Sequence, residues 1–423
     1  MKKVTSFGVA MTFVGSMIGA GFASGQELLQ FFGGFGLHGF AGIFVSAALY
    51  AIYGALIMLL ARRMQTDNYN LLIVPGGNRL LLDIVDVFMA FLLFGMFAIM
   101  IAGAGSLLDA QFGLTPLLGG VIMVVLSILT VYWGSDSLIA SFNIVVPLMT
   151  VAALAVSIAA ILRAPVVAFS DPTGAIQPNS MVGNWFLSAL LFVFYSTLGG
   201  VGALPPLALK MKNDRGAALA PVLSAAILGL FAAVVYIAVI SHAGTVAGAD
   251  MPMLSLASEV SPAVGIVYVL VLFAAIYTTA VGALFGIKAR VDTIGRLSAS
   301  RKNMVIIAVA VVALLSTQIG FVNLVSFLYS LYGYMGILIF LGMLVNYNPG
   351  KARESRAGKG MILSRGAAAG ARGAFRPARP CGCHLSPYAP RSFSKSIFRP
   401  PLHRAQRNAP VFPVQLPCLL WDG

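Results

Sequence analysis

The chain has 423 residues, 59% of them hydrophobic and only 9% charged. A soluble domain carries about 25% charged residues, so an ordinary water-covered enzyme is excluded, and a polytopic helical membrane protein is the class that fits. The net charge of +14 invites a nucleic-acid reading, but position excludes it. Residues 1–350 hold 14 basic and 11 acidic residues, a balance of +3, while residues 351–423 hold 13 and 2, a balance of +11.

Ten hydrophobic segments are predicted before Gly350, at roughly 20 residues per span. In chain order they are 4–33, 38–61, 82–108, 115–133, 139–162, 184–209, 217–241, 262–287, 303–320 and 322–346. Gly320 and Asn323 give only a minimal turn between the last two. The basic residues orient these segments, because loops on the cytoplasmic side are enriched in Lys and Arg. With the N-terminus inside, Lys2, Lys3, Arg62, Arg63, Arg79, Lys210, Lys212, Arg215, Lys288, Arg290, Arg296, Arg301 and Lys302 all face the cytoplasm. Arg163 alone among the 14 faces out. The expectation is a multi-pass protein of the cell membrane with a cytoplasmic N-terminus.

The ten segments divide into two sets of five, residues 1–163 and 184–348, joined by an external loop over 164–183. Because five is odd, the second set enters the membrane in the opposite sense to the first. Each set opens on a glycine-interrupted segment. The first reads Gly15-Ser16-Met17-Ile18-Gly19-Ala20-Gly21-Phe22-Ala23-Ser24-Gly25-Gln26-Glu27 and the sixth Tyr195-Ser196-Thr197-Leu198-Gly199-Gly200-Val201-Gly202-Ala203-Leu204-Pro205-Pro206. Glycine weakens a helix by about 1 kcal/mol relative to alanine and proline by about 3, so both stretches favour local unwinding. Unwound backbone at membrane depth is tolerated only where protein or a water-filled cavity meets its polar groups. Corresponding interruptions in two inverted halves point to a transport site near the midplane. Close helix packing is the competing explanation for small residues four apart, such as Gly15 and Gly19.

The run Gly15 to Gly21 resembles the first-helix motif of the amino acid–polyamine–organocation superfamily, which includes the LeuT-fold sodium symporters. Extended through Glu27, it looks most like the YkvI-type membrane proteins. The resemblance covers residues 1 to about 348 and implies an all-α fold of five plus five helices in inverted repeat, LeuT-like, with helices one and six interrupted. It further implies a substrate between those helices. Backbone amides around Gly19, Ala20 and Gly21, with Ser24, would meet a substrate carboxylate; Thr197, Leu198, Gly199, Gly200 and Gly202 would line the other side. By the same resemblance a sodium ion would be held by the carbonyls of Gly15, Ile18 and Ala275 and the hydroxyls of Thr278 and Thr279. Hydroxyls that bond back to their own helix are the alternative for the two threonines. The chain departs from the symporters in segment three, where Phe88, Phe91, Phe94 and Phe97 stand and no tyrosine is found. It also lacks the arginine after the first interruption, and segment five lacks the lysine of proton-coupled relatives.

Glu27 is the acid nearest an interruption. An acid at membrane depth is a functional candidate by default, here for a coupling proton or for compensating a cation; a position at the outer interface is the alternative. Asp83, Asp86 and Asp109 fall near the ends of segment three, and His38 and His242 near the ends of their segments, as interfacial residues do. Residues 1–350 contain no His/Cys/carboxylate cluster with metal-ligand spacing. No G-x-x-x-x-G-K-[ST] loop is present, so ATP-driven pumping by this chain is not expected.

Cys381, Cys383 and Cys418 and nine of the 21 prolines fall after Gly350. This tail, 349–423, reads either as a disordered basic segment that attracts anionic lipid or as a GC-rich frame translated out of phase after a frameshift, which its composition favours. Together these features predict a secondary active transporter, not an enzyme, that moves a small solute by alternating access. The solute class is a neutral amino acid or related amine, coupled to sodium, with no other cofactor and no nucleic-acid partner. A membrane receptor that senses a solute without moving it is the alternative.

Overall fold

The computed structural model describes residues 5–74, 78–133, 136–163, 176, 179–293 and 298–347. Contacts divide the chain into Met1–Ala352 and Arg353–Gly423; the second unit, and with it the tail discussed above, lies outside the described residues.

The described residues are almost entirely helical, because apolar stretches in lipid must satisfy their backbone groups within the segment. The first segment is broken into α1 (Ser6–Met17), α2 (Ala20–Ala23) and α3 (Gln26–Phe32), followed by a 3₁₀ turn at Gly33–Phe35. Then come α4 (Leu37–Met64), the short α5 (Tyr69–Ile73), α6 (Arg79–Phe112), α7 (Pro116–Trp133) and α8 (Asp136–Arg163). The sixth segment is α9 (Trp185–Gly200) and α10 (Leu204–Lys210), and α11 (Asp214–Ser241) is the seventh. Two short helices, α12 (Ala243–Val246) and α13 (Pro252–Val260), precede α14 (Pro262–Asp292) and α15 (Ala299–Leu315). The tenth segment is compound: α16 (Phe321–Leu324), a π-helical turn at Val325–Tyr329, and α17 (Ser330–Tyr347). Side chains of the connecting loops fix many of the starts. Thr5, Asn78, Asn184, Asn213, Ser261 and Ser298 each accept a hydrogen bond from a first-turn amide of the helix that follows, satisfying donors that a helix leaves free.

Among the described residues seven helices are long and apolar enough to cross a bilayer, eight if the bent α9–α10 pair is one span. The first and fourth predicted segments give shorter apolar helices, Ser6–Met17 and Pro116–Tyr132. In the first, the cause is the interruption itself. Segments also pack in reciprocal pairs: α1 lies on α11 as α9 lies on α4, and α14 lies on α7 as α6 lies on α15. The α9–α17 pair touches backbone to backbone. A Cβ on Gly336 would stand 2.6 Å from the Phe194 carbonyl oxygen, and one on Gly333 2.7 Å from that of Leu191, the kind of approach that small residues permit between membrane helices.

Large apolar side chains face outward on most long helices, including Phe44, Leu80, Leu162, Leu230, Leu270, Val311 and Leu338. Such a surface is a liability in water and a fitted surface in hydrocarbon. The basic residues gather at one end. Arg62 donates to Asp214 at 2.6 Å and to the carbonyls of Ala208 and Met211, which end α10. Arg290 reaches the Tyr69 hydroxyl and the Asp86 carbonyl, and Arg63 reaches the Tyr347 carbonyl. A cleft of about 390 Å³ lined by Leu59, Arg62, Arg63, Gln65, Asp214 and Tyr347 lies at this end. Arg163, bonded to the Val260 carbonyl, belongs to the C-terminal end of α8, with α13.

Candidate functional site

The first interruption has two steps. The ladder of α1 closes with the Ile18 amide donating to the Val14 carbonyl; Ile18 and Gly19 are then extended (ψ 98° and −177°), and α2 starts at Ala20. After one turn Gly25 takes φ +78°, a left-handed conformation natural only to glycine. A Cβ there would also stand 2.8 Å from Met253 Cγ. The carbonyls released by this second step find partners in later elements: Ser24 O accepts from the Met253 amide at 3.0 Å and Ala23 O from the Tyr268 hydroxyl at 2.5 Å. The Ser24 hydroxyl serves the turn itself, donating to Gly21 O and accepting from Gln26 N.

The sixth segment corrects one expectation. Thr197, Leu198, Gly199 and Gly200 remain helical, with the Val201 amide bonded to the Thr197 carbonyl; only Gly202 falls in the turn before α10, where the axis bends by 66°. Packing is the reason. Gly200 lies under segment one, where a Cβ would stand 2.9 Å from Met17 Cε and 3.0 Å from Phe13 Cε2. Thr197 is fully buried and bonds back to Val193 O.

The two broken segments approach each other just before their interruptions. A Cβ on Gly199 would lie 3.8 Å from the Ser16 carbonyl oxygen, and on Gly19 or Gly202 it would meet nothing within 4 Å. Ser16, Gly199 and Gly202 are exposed and Gly19 half-buried, between buried neighbours such as Met17, Ile18, Leu198 and Val201. Neither Gly19 nor Gly202 is therefore closed over by packing. Ala20 and Gly21, by contrast, are buried.

Three of the five oxygens expected around sodium are brought together on α14. Both Thr278 Oγ1 and Thr279 Oγ1 donate to the Ala275 carbonyl, at 3.0 and 2.9 Å. This is the back-bonding common in membrane helices. Gly15 lies inside α1, 3.7 Å by its Cβ position from Val146, and Ile18 is buried at the break. Helix α14 packs on α2 and is tied to it by the Tyr268–Ala23 bond.

Glu27, in the first turn of α3, is 5% exposed. Its carboxyl packs against Gly21, where a Cβ would overlap Oε1, and is hydrogen-bonded with the Tyr195 hydroxyl. The Tyr195 ring stacks between Phe31 (5.6 Å, 4°) and Tyr329 (4.3 Å, 16°). Beside it the Tyr50 hydroxyl meets Ser196 Oγ at 2.6 Å. Asn179 Nδ2 donates to Ser330 Oγ at 3.0 Å and to the Ser326 carbonyl at 3.3 Å, at the π-helical turn. Reasoning from sequence missed this cluster. Tyr195 and Ser196 stand inside the sixth-segment motif and were there to be found; Tyr329 and Asn179 carry no sequence signal.

No family model matches the chain. Over 356 residues, 81% of this chain and 96% of the relative, it is 29% identical to the uncharacterized membrane protein YkvI of Bacillus subtilis (strain 168). Over 336 residues, 78% of this chain and 94% of the relative, it is 26% identical to the uncharacterized protein YyaD of the same organism. The fold matches the crystal structure of MhsT in complex with L-phenylalanine, with a TM-score of 0.53 and 15% identity, over 84% of this chain and 92% of MhsT.

Proposed function

We propose, from the LeuT-like fold of a multi-pass membrane protein similar along most of its length to YkvI, that the chain is a secondary transporter of a small solute. The observation that carries the reading is the pair of broken helices that approach at Ser16 and Gly199, with Gly19 and Gly202 at the breaks left uncovered by packing. Broken helices supply unpaired backbone groups at membrane depth, and such groups suit a polar solute where they line a cavity. The reciprocal packing of α1 on α11 and α9 on α4 supports two inverted five-helix repeats that rock against each other. The described core holds no buried Lys or Arg, which supports a neutral amino acid or related amine as the solute. MhsT was crystallised with such a molecule, L-phenylalanine.

Sodium is the proposed coupling ion, on the carbonyls of Gly15, Ile18 and Ala275 and the hydroxyls of Thr278 and Thr279. Its binding would require both hydroxyls to turn from the Ala275 carbonyl toward the ion. The proposed orientation puts the basic end in the cytoplasm. Uptake into proteoliposomes across a panel of amino acids and amines, with and without a sodium gradient, tests the reading. Sodium-dependent uptake that falls in Thr278→Ala is expected. Absence of uptake for every solute overturns it, and solute binding without flux supports the receptor reading instead.

A further inference from the structure

Among the residues whose burial is described, Glu27 is the one carboxylate or basic side chain that is buried, and it forms no ion pair. An ionised carboxylate held away from water without a counter-charge costs several kcal/mol. What surrounds it are hydroxyls and aromatic rings. The groups that face α3 from the elements packed on it can be named one by one. Helix α9 offers Tyr195, α4 offers Tyr50, and the π-helical turn offers Tyr329, all close enough to feel the Glu27 charge. Helix α11 offers Tyr236, whose hydroxyl is bonded to the Phe32 and Gly36 carbonyls at the far end of α3. Helix α2 and the 3₁₀ turn offer no titratable group, and Glu259 of α13 is exposed. None of these groups supplies a positive charge. The carboxyl is also pressed on the Gly21 backbone, which leaves room for a proton more readily than for a larger cation. A protonated acid suits the neighbours as well, since it has one O–H donor and remaining acceptor capacity.

We propose that Glu27 is a proton-binding site coupled to the closure of segment ten. With the proton bound, Tyr195 stacks on Tyr329 and Asn179 holds the π-helical turn through Ser330 and Ser326. When segment ten swings away, water reaches the carboxyl. The O–H bond breaks, its electron pair stays on the carboxylate, and the proton passes to water; closure runs the same exchange in reverse. The negative charge left beside Tyr195 and Tyr329 is stabilised by the water that entered, so ionisation and opening favour each other. The inference rests on the transporter reading only for the step from proton binding to transport. The proton site is distinct from the sodium oxygens on α14.

The test uses the full chain in lipid nanodiscs, with Cys381, Cys383 and Cys418 replaced by Ser and Val325→Cys as a reporter in the buried π-helical turn. Labelling by a membrane-impermeant maleimide is followed from acidic to alkaline buffer. The intrinsic pH response of the thiol is read from the same reporter in Glu27→Gln, a near-isosteric mimic of the protonated acid. Labelling that rises on the order of tenfold more in the parent than in Glu27→Gln is expected, with Glu27→Asp restoring part of the response. Infrared spectra at neutral pH should show a protonated carboxyl band that Glu27→Gln removes. An equal pH response in the parent and Glu27→Gln, or no such band in the parent, overturns the proposal. Neither readout needs a transported solute, so failure here leaves the transporter reading standing, and failure of uptake leaves the proton site standing.

Discussion

The Tyr332 hydroxyl of α17 is seated on Gly95 of α6: a Cβ on Gly95 would overlap that oxygen, and the hydroxyl donates to the Phe91 carbonyl at 3.3 Å. The ring is further held edge-on by Phe88 and Phe91. A tyrosine of segment ten is thus packed into segment three.

Gly95→Ala should therefore destabilise the protein by about 1–3 kcal/mol, the usual cost of overpacking. Tyr332→Leu in the same chain should suppress much of that loss. The check is a double-mutant cycle on thermal unfolding in detergent; strictly additive effects would show that the seat is not formed.

Two glycines of the sixth segment should separate packing from solute access. Gly200→Val meets Met17 and Phe13 and should lower stability by about 1–3 kcal/mol, with partial relief from Met17→Ala. Gly202→Val enters open space and should leave unfolding nearly unchanged while lowering uptake. Equal stability losses at both positions would contradict this division.

The Tyr50–Ser196 bond joins α4 to α9 at 2.6 Å. Hydrogen bonds between membrane helices contribute about 0.6 kcal/mol on average and about 1.7 at most. Tyr50→Phe and Ser196→Ala should show a coupling in that range in a double-mutant cycle, and no coupling would mean the hydroxyls do not meet.

Arg62 anchors the end of α10 through two carbonyls as well as through Asp214, which is 75% exposed at its side chain. An exposed ion pair contributes about 0–1 kcal/mol, so Asp214→Asn should change stability little. Arg62→Lys should cost more, because an ammonium cannot reproduce the planar fork that spans three acceptors. Thermal unfolding of both variants decides; a larger loss in Asp214→Asn would reverse the assignment.

Long apolar runs made the transmembrane helices legible, since span length and hydropathy are local properties. The segment 38–61 became Leu37–Met64 and 262–287 became Pro262–Asp292. The breaks at Gly19 and Gly202 were legible for the same reason. Gly200 was misread as unwound because its role depends on Met17 and Phe13, which approach from another segment. Helix α13 was missed because its nine residues lie in what composition marks as a loop. Glu27 was visible as an acid near an interruption, but its aromatic surroundings come from α9 and from segment ten, more than 160 residues away in sequence. Such contacts are set by packing and leave no local pattern.

The π-helical turn at Val325–Tyr329 inserts one residue into the winding of segment ten, and that shifts the phase of everything after it. Within the turn Tyr329 meets Tyr195; after it Tyr332 finds Gly95 while Gly333 and Gly336 mesh with α9. Deleting a single residue here would restore a regular helix, yet it would turn α17 by about 100° against both neighbours. Segment ten is in effect two differently keyed surfaces on one rod, and the extra residue is what sets the angle between them.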